Sequence, residues 1–298
     1  MSRSNTIKNG SHIMDITIYA VLGILCLLTL YPMYYVLILS ISSPQEVATM
    51  NVYIWPKGLY LESYKMIMAN SQMWVAYGYT IFYVISGTLL MIFTSVICAY
   101  PLTVKNLFAR KFLVVFILIP MYFGGGLIPT YLLMVKLGLY NNIWAMIIPG
   151  SVGIWNIILT KTFFSSIPGA LRESAQIDGA NHFKVLRHIY LPISKPILAV
   201  ISIYTIVGIW NSWFNAMVYL PNEKLQPLQM YLRRVLVEQS VDLTKLTSLD
   251  AEVAVKKMLS NIQMRYSMII FVTLPIIFAY PFFQKYFIKG VMLGSLKE

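Results

Sequence analysis

Residues 173–196, ESAQIDGANHFKVLRHIYLPISKP, form a compact polar segment between two long apolar stretches of the chain. Asp178-Gly179, in the middle of this segment, is a typical turn or helix break. After the break, Phe183, Leu186 and Ile189 recur at i, i+3 and i+6, which predicts a second short helix with one apolar face. We therefore expect two short helices joined by a bend at Gly179.

Prolines mark the ends of this segment. Pro168 suits the first turn of a helix, and Leu191-Pro192 is predicted to stop the second short helix before Pro196 opens the next apolar run. Periodicity alone leaves two interpretations open. The segment is either an amphipathic linker that lies among lipid headgroups or a rigid module that contacts a partner protein.

The composition of the chain indicates a membrane protein. Of its 298 residues, 58% are hydrophobic and 11% are charged, whereas about a quarter of the residues of a soluble domain are charged. Six apolar runs contain no Lys, Arg, Asp or Glu, and each approaches the roughly 20 residues that cross a bilayer core. We therefore predict an all-α, polytopic membrane protein with six transmembrane helices, the first of them a retained helix and not a signal peptide. The runs are Ile16–Ile41, Ala76–Leu102, Phe112–Val135, Ile143–Thr160, Pro196–Leu220 and Tyr266–Phe283.

The charges of the loops predict the orientation. With the N-terminus inside, the segments 1–15, 103–111, 161–195 and 284–298 are inner, and they hold most of the Lys and Arg residues. The two short outer loops hold only Lys57, Lys65 and Lys136. The positive-inside rule then favours an N-in, C-in protein. The net charge of +12 is explained by topology and not by nucleic-acid binding, since no basic stripe with interleaved aromatic residues stands outside the membrane runs.

The apolar runs also exclude several functions. Ion-coupled transporters and pumps keep ionisable residues at membrane depth, and these six runs contain none. The sequence lacks the Gly-Lys dipeptide of a phosphate-binding loop and lacks the HExxH and GxSxG motifs. We predict no enzyme activity, no metal site and no cofactor bound by this chain. Energy for transport would have to come from a partner on the inner side.

Several stretches resemble one family of transport proteins. Glu173, Gly179 and, after nine further residues, Ile189-x-Leu191-Pro192 resemble the EAA loop of ATP-binding-cassette importer permeases, with Ser174 at the second alanine position. The runs IPTYLLMVKLGLYNNIWAMIIPG (128–150), IPGALRESAQIDGANHFKVLRHIYLP (167–192) and GIWNSWFNAMVYL (208–220) are similar to the maltose-type, carbohydrate-uptake branch. The tail FIKGVMLGSLKE (287–298) has that branch's Lys-Gly-x-x-x-Gly-x-x-Lys pattern. FGGGLIPTYLL (123–133) further resembles the polysaccharide and oligosaccharide permeases of this branch.

The resemblance implies a type I importer permease fold and a set of partners. The EAA loop would dock in a cleft of a soluble ATPase subunit, and two such subunits would use ATP and Mg. A second, homologous permease chain would complete the path, and an extracellular sugar-binding protein would deliver the substrate at a bacterial inner or plasma membrane. The resemblance assigns ATPase coupling to Glu173, Ser174, Ala175, Asp178, Gly179, Ile189, Leu191 and Pro192. In the tail it assigns contacts with the ATPase subunits to Lys289, Gly290 and Gly294.

A stripe on the fifth apolar run is a candidate for the substrate path. Tyr204, Asn211 and Asn215 fall on one face if this run is a continuous helix. Amide groups in a membrane face the bundle or water, and aromatic rings such as that of Trp213 suit the apolar faces of sugars. Tyr83 lies on a similar stripe of the second run. For both stripes the alternative is packing between helices.

We predict three parts of the chain. Residues 1–75 hold the N-terminal tail, the first helix and an outer loop, and residues 285–298 form a cytoplasmic tail. The permease core, 76–284, includes the loop 168–196 and an outer loop, 221–265, which is a candidate dock for the binding protein. Within the third run, Pro120, Gly124-Gly125-Gly126 and Pro129 predict a break.

The function that these patterns favour is that of a permease subunit in an ATP-driven, binding-protein-dependent importer of carbohydrates. Two alternatives are left open by the sequence. One is an importer permease for a non-sugar solute, and the other is a non-transporting membrane scaffold or sensor that uses the polar loop to bind a partner.

Overall fold

The computed structural model describes residues 3–104, 106–237, 259–279 and 281. Every regular element in those ranges is helical, which confirms the predicted all-α class for the described part of the chain. The helices of the first part are α1 (Arg3–Ile41), α2 (Pro44–Ala48), α3 (Glu62–Ala69), α4 (Ser71–Ala99), α5 (Arg110–Tyr122), α6 (Leu127–Lys136) and α7 (Ile154–Ser166). They are followed by α8 (Gly169–Ile177), α9 (His182–Val185), α10 (Leu191–Ile193), α11 (Lys195–Trp210), α12 (Phe214–Tyr219), α13 (Leu228–Val237) and α14 (Leu259–Ala279).

Within the described ranges, three helical stretches are long and apolar enough to cross a membrane: Met14–Ile41, Ser71–Thr103 and Leu259–Ala279. Two bent pairs pass the same test together, α5 with α6 at 112° and His182–Ile193 with α11 at 77°. The count is therefore three, or up to five if each bent pair is one span. The six-span count and the N-in, C-in orientation stay predictions.

The third apolar run is broken where its glycines predicted a break. α5 continues through Pro120 and ends at Tyr122, and α6 begins after Gly126, whose φ of +82° is a left-handed conformation that glycine adopts without strain. The prediction of one helix over Ile143–Thr160 is wrong. A short 3₁₀ turn covers Ile143–Met146, and α7 starts only at Ile154, after the Pro149-Gly150 dipeptide.

The chain divides into two compact units. The first unit comprises Met1–Ala69 with Val235–Thr273, and the second comprises Asn70–Arg234 with Leu274–Glu298. In the first unit, Ile38, Leu39, Val47 and Val52 form a buried apolar cluster. Most of the apolar stretch Met14–Ile41 of α1 is exposed, since only 6% of its most apolar part is buried. That surface therefore needs lipid or another protein to cover it.

In the first unit, a buried polar network centres on Gln263. Its side-chain amide donates to the carbonyls of Ser40 at 2.9 Å and Tyr60 at 3.1 Å, and its oxygen accepts from the Ser63 hydroxyl. Ser267 donates to the same Ser40 carbonyl at 3.0 Å. The Gln263 amide thus makes three hydrogen bonds, and those to Ser40 and Ser63 are buried. The network fixes α14 against the end of α1.

The second unit is organised around α4. One buried cluster contains Tyr83, Met146 and Tyr219, and another contains Val96, Phe164 and Tyr190. α4 packs against α11 at Gly87, where an added Cβ would lie 2.6 Å from Cδ1 of Ile209. This close approach explains why the position carries glycine.

Candidate functional site

The bend at Gly179 has the geometry that ends many helices. Gly179 has φ +79°, its N–H donates to the Gln176 carbonyl at 3.1 Å, and the Ala180 N–H donates to the Ala175 carbonyl at 2.9 Å. These two hydrogen bonds form a Schellman motif, which places a left-handed residue directly after the helix. The predicted break between two short helices is therefore confirmed.

The second helix of the loop, α9, begins three residues after Gly179. The side-chain oxygen of Asn181 accepts a hydrogen bond of 2.9 Å from the Lys184 N–H and so caps α9. Ala180 is the only residue between the glycine and this cap. The two helices are thus connected by a short turn with hydrogen bonds on both of its sides.

The apolar anchor of the loop differs from the predicted one. Val185 and Tyr190 are buried, whereas Phe183 is 67% exposed and Leu186 and Ile189 are half-buried. Residues Leu186–Tyr190 form a π-helix, and the wider turn shifts which side chains share a face. The prediction of a face at i, i+3 and i+6 therefore failed.

Pro192 does not stop the second helix. The helical run continues to Ile193, and the Leu191 N–H donates to the Leu186 carbonyl, five residues earlier. Pro192 has no N–H to donate to the carbonyl four residues before it, which explains the widened turn at this place. The chain bends only at Ser194, before α11.

Tyr190 connects the loop to the membrane helices. Its ring lies edge-on to Phe164 of α7, with centroids 5.3 Å apart, and edge-on to Tyr100 at the end of α4, at 5.1 Å. Aromatic pairs of this geometry are stabilising beyond the area that they bury. The loop is therefore held against both helices, and a push on it would be transmitted to them.

Of the eight residues assigned to coupling, five are exposed, whereas the other three pack partly against the cluster that contains Tyr190. Glu173, Ser174, Asp178, Gly179 and Pro192 are exposed, and Ala175, Ile189 and Leu191 are half-buried. Ile177, which the sequence did not single out, is 86% exposed directly before the bend. Together with Phe183 it makes the tip apolar, although the tip has no cover within the described residues.

A second group of residues lies at the break that follows α11. This helix ends at Trp210, and the chain resumes a helix only at Phe214. Asn211 donates from its side chain to the Val207 carbonyl at 3.0 Å and accepts from Gln229 of α13 at 3.1 Å. The continuous face predicted for Tyr204, Asn211 and Asn215 is therefore wrong, because Asn211 follows the end of α11 and Asn215 lies in α12.

The residues predicted for the substrate path in and after α11 are nevertheless exposed in this chain. Tyr204 is 53% exposed, Trp213 is 39% exposed, and Asn211 and Asn215 are exposed. Tyr83 is different: it is 1% exposed, and its hydroxyl donates to the Leu225 carbonyl at 2.8 Å. This position favours the packing alternative for Tyr83, and its part in a path stays an untested prediction.

Two neighbouring arginines of α13 have different surroundings. The guanidinium of Arg234 forms an ion pair of 2.5 Å with Glu223 and also donates to the side chain of Gln226. The guanidinium of Arg233 lies over the ring of Trp213, 5.0 Å from its centroid. Gln229 and Arg233 were not among the residues that the sequence predicted for this group. The Arg233-Arg234 dipeptide was the one sequence signal for this group. Adjacent side chains on a helix point about 100° apart, so two neighbouring arginines face different surroundings.

The tail residues Lys289, Gly290 and Gly294 lie outside the described residues, as does the 238–258 part of the outer loop. Their predicted roles stay predictions.

Apolar helices long enough to cross a membrane, two bent helix pairs and an exposed polar loop packed against α4 and α7 are the features of an integral membrane protein. The chain belongs to the family described as binding-protein-dependent transport system inner membrane component, whose family model matches residues 74–293. This places it among the permease components of transport systems.

Individual relatives agree with this family. Protein LplC of Bacillus subtilis (strain 168) is 34% identical over 299 residues, which cover 100% of both chains. The polygalacturonan/rhamnogalacturonan transport system permease protein YtcP of the same organism is 31% identical over 287 residues, covering 96% of this chain and 99% of YtcP. A chain in the crystal structure of a bacterial ABC transporter involved in the import of the acidic polysaccharide alginate superposes with a TM-score of 0.84 at 32% identity, covering 96% of this chain and 99% of that one.

Proposed function

We propose that this chain is a transmembrane permease subunit of an ATP-driven, binding-protein-dependent importer of oligosaccharides. Its family supports the permease role. Two relatives that match almost their whole length serve carbohydrate transport, namely the polygalacturonan/rhamnogalacturonan permease and the alginate importer. The substrate is accordingly a sugar chain and not a peptide or a small ion.

The observation that carries the coupling role is the exposed tip of the loop. Ile177 and Phe183 present apolar surface on either side of Gly179, at 86% and 67% exposure. A loop that only lay among lipid headgroups would not need a Schellman turn, an asparagine cap and a buried tyrosine anchor to fix its shape. A rigid tip of this kind suits a cleft in an ATPase subunit.

Motion of that subunit would reach the membrane through named contacts. The Tyr190 ring touches both Phe164 of α7 and Tyr100 at the end of α4. α4 in turn packs closely on α11 at Gly87 and Ile209. ATP-driven movement of the docked loop would therefore move α4, α7 and α11 together, as alternating access by rigid-body rocking requires.

A second permease chain completes the proposal. In the second unit, Tyr204 of α11 and Trp213, which lies in the break after α11, are partly exposed. Amide and aromatic groups at the end of a membrane helix need protein or a water-filled path beside them. We place the substrate path between this surface and the partner permease, and the binding protein at its outer mouth.

Purification tests the proposal. The tagged chain, expressed with the ATPase, permease and binding-protein genes encoded beside it, is expected to copurify with an ATPase and a second permease. Proteoliposomes of that complex should take up an oligosaccharide only with ATP and the binding protein. Uptake of a non-sugar solute alone would identify a permease for another substrate, and a complex without ATPase would favour the scaffold alternative.

A further inference from the structure

The break after α11 carries a set of groups that differ in chemistry. Trp213 offers an aromatic face, Asn211 and Gln229 offer amides, and Arg233 offers a guanidinium. Aromatic faces suit the C–H faces of sugar rings, and amides suit their hydroxyl groups. A guanidinium has a different preferred partner, because its planar fork of N–H groups matches a carboxylate through two parallel hydrogen bonds.

Arg233 is available for such a partner. Among residues 3–104, 106–237, 259–279 and 281, no carboxylate lies within ion-pair distance of its guanidinium, and the Trp213 ring is its recorded neighbour. The adjacent Arg234 provides the contrast, since Glu223 and Gln226 already occupy its N–H groups. Of these two chemically identical neighbours, Arg234 is therefore a structural residue, whereas Arg233 has no carboxylate partner among the described residues and lies beside an aromatic ring.

The contact with Trp213 also prepares Arg233 for binding. The cation–π contact, 5.0 Å from the guanidinium carbon to the ring centroid, restrains the side chain, so that Arg233 loses less side-chain freedom when an anion binds. The same indole ring presents its remaining surface to the outside, at 39% exposure. A sugar ring placed against Trp213 would bring a carboxylate at its C5 position toward the Arg233 fork.

From this geometry we propose that Arg233 and Trp213 form a subsite for hexuronate residues, and this subsite rests on the proposed function. The transported oligosaccharide would then be acidic, and Arg233 would be the residue that selects the carboxylate over a neutral group at the same carbon. Asn211 and Gln229 would hold neighbouring hydroxyls, and their mutual hydrogen bond of 3.1 Å fixes their orientation.

The experiment uses the assembled importer in proteoliposomes with saturating binding protein. Uptake of labelled trigalacturonate is compared with uptake of its fully methyl-esterified form, which keeps the rings and removes the charge. We expect Arg233→Gln to lower uptake of the acid about tenfold or more, the scale of one lost charge-assisted hydrogen-bonding group. Uptake of the ester by Arg233→Gln should stay within about twofold of wild type. For the acid, uptake by Arg233→Lys should fall between that of Arg233→Gln and that of wild type.

Arg234→Gln is the matched control. It removes the same charge one residue away, loosens the contact with Glu223, and should change uptake of acid and ester by the same factor. The proposal is overturned if Arg233→Gln lowers both probes equally or neither, or if the wild-type importer takes up only neutral sugars. It is also overturned if Arg233→Gln raises the concentration of binding protein that half-saturates ATPase stimulation, because Arg233 would then be a docking contact for that protein.

These outcomes separate the subsite from the proposed function. A wild-type complex that transports neutral oligosaccharides but no uronate remains a carbohydrate importer without this subsite. A complex that transports no oligosaccharide of either kind, with ATPase and binding protein present, removes the proposed function itself.

Discussion

The side-chain amide of Gln263 donates a hydrogen bond of 2.9 Å to the carbonyl of Ser40, 223 positions away in the chain. The same amide donates to the Tyr60 carbonyl and accepts from the Ser63 hydroxyl, and all of these groups belong to one unit. Such a network is stabilising only while all of its hydrogen bonds are made, since a buried polar group that loses its partner is costly.

We predict that Gln263→Leu destabilises the protein by about 2 kcal/mol, because the Ser63 hydroxyl and the Tyr60 carbonyl lose their partner. Thermal unfolding in detergent, followed by the loss of the monodisperse gel-filtration peak, measures the effect. Ser267→Ala is the control, since the Ser40 carbonyl then keeps its bond from Gln263 and the loss should be smaller. Equal midpoints for Gln263→Leu and wild type would contradict the role given to the network.

A second prediction concerns the bend of the coupling loop. Gly179→Leu should leave the complex assembled but uncouple ATP hydrolysis from transport, because a bulky side chain at the bend cannot seat in the ATPase cleft. Within this chain an added Cβ at Gly179 has no atom within 4 Å, but φ is +79°, so a substitution changes both the size of the side chain and the backbone strain. Two control variants separate these effects. Gly179→Ala adds about 1–2 kcal/mol of left-handed strain with little bulk, whereas Gly179→Asn adds bulk in a conformation that Asn tolerates.

The ratio of ATP hydrolysed to sugar transported is the measurement for these variants. We expect it to rise most in Gly179→Leu and to rise more in Gly179→Asn than in Gly179→Ala. Glu173→Lys should weaken retention of the ATPase during purification, because it places the wrong charge at the same contact. Wild-type uptake by Gly179→Leu and Glu173→Lys would remove the docking assignment.

A third prediction contrasts two neighbouring tryptophans. Trp213→Ala and Asn211→Ala should cut sugar uptake at least severalfold while binding-protein-stimulated ATPase activity persists, because their side chains are exposed beside the proposed path. Trp210 is 6% exposed and packs edge-on to Tyr77, so Trp210→Ala should instead lower the yield of folded protein. If Trp213→Ala lost uptake, ATPase stimulation and folded protein together, Trp213 would be a packing residue.

A fourth prediction tests the contact between α4 and α11. Gly87→Val should lower the unfolding midpoint, because its Cβ would meet Cδ1 of Ile209 at 2.6 Å and the added methyl groups leave less room still. Ile209→Ala in the same chain should recover part of that loss. Gly87→Ala should be milder, since only the end of a flexible side chain has to move. If the changes in unfolding midpoint caused by Gly87→Val and Ile209→Ala simply add in the double variant, the two side chains are not in steric conflict.

The tail gives a fifth prediction, which rests on sequence resemblance alone. Deleting Lys289–Glu298 should leave membrane insertion intact but lower transport and loosen ATPase binding. A cysteine introduced at Gly294 should crosslink to an ATPase subunit and not to lipid-facing probes. Full transport and unchanged ATPase retention in the truncated complex would reduce the tail to a membrane-surface anchor.

Local signals predicted the features that depend on a few neighbouring residues. Gly179 marks a bend because its φ of +79° is available to glycine at low cost, and the triple glycine before Leu127 breaks the third run for the same reason. The membrane class followed from charge-free runs, which reflect the solvent around a helix and not its neighbours. The phase of the loop's apolar face was predicted wrongly, because Pro192 widens the preceding turn and helical spacing assumes a regular one.

By itself, then, the sequence determined the membrane environment, the helical class and the bend of the coupling loop, since each follows from local composition or local backbone freedom. Tertiary structure alone decided that α11 ends at Trp210, that Tyr83 is buried, and that Arg233 rests on Trp213 while Arg234 pairs with Glu223. The physical reason is distance along the chain. Glu223 and Arg234 are 11 positions apart and meet only after the chain has folded back on itself. A linear pattern records nothing about which of two adjacent arginines will find a carboxylate.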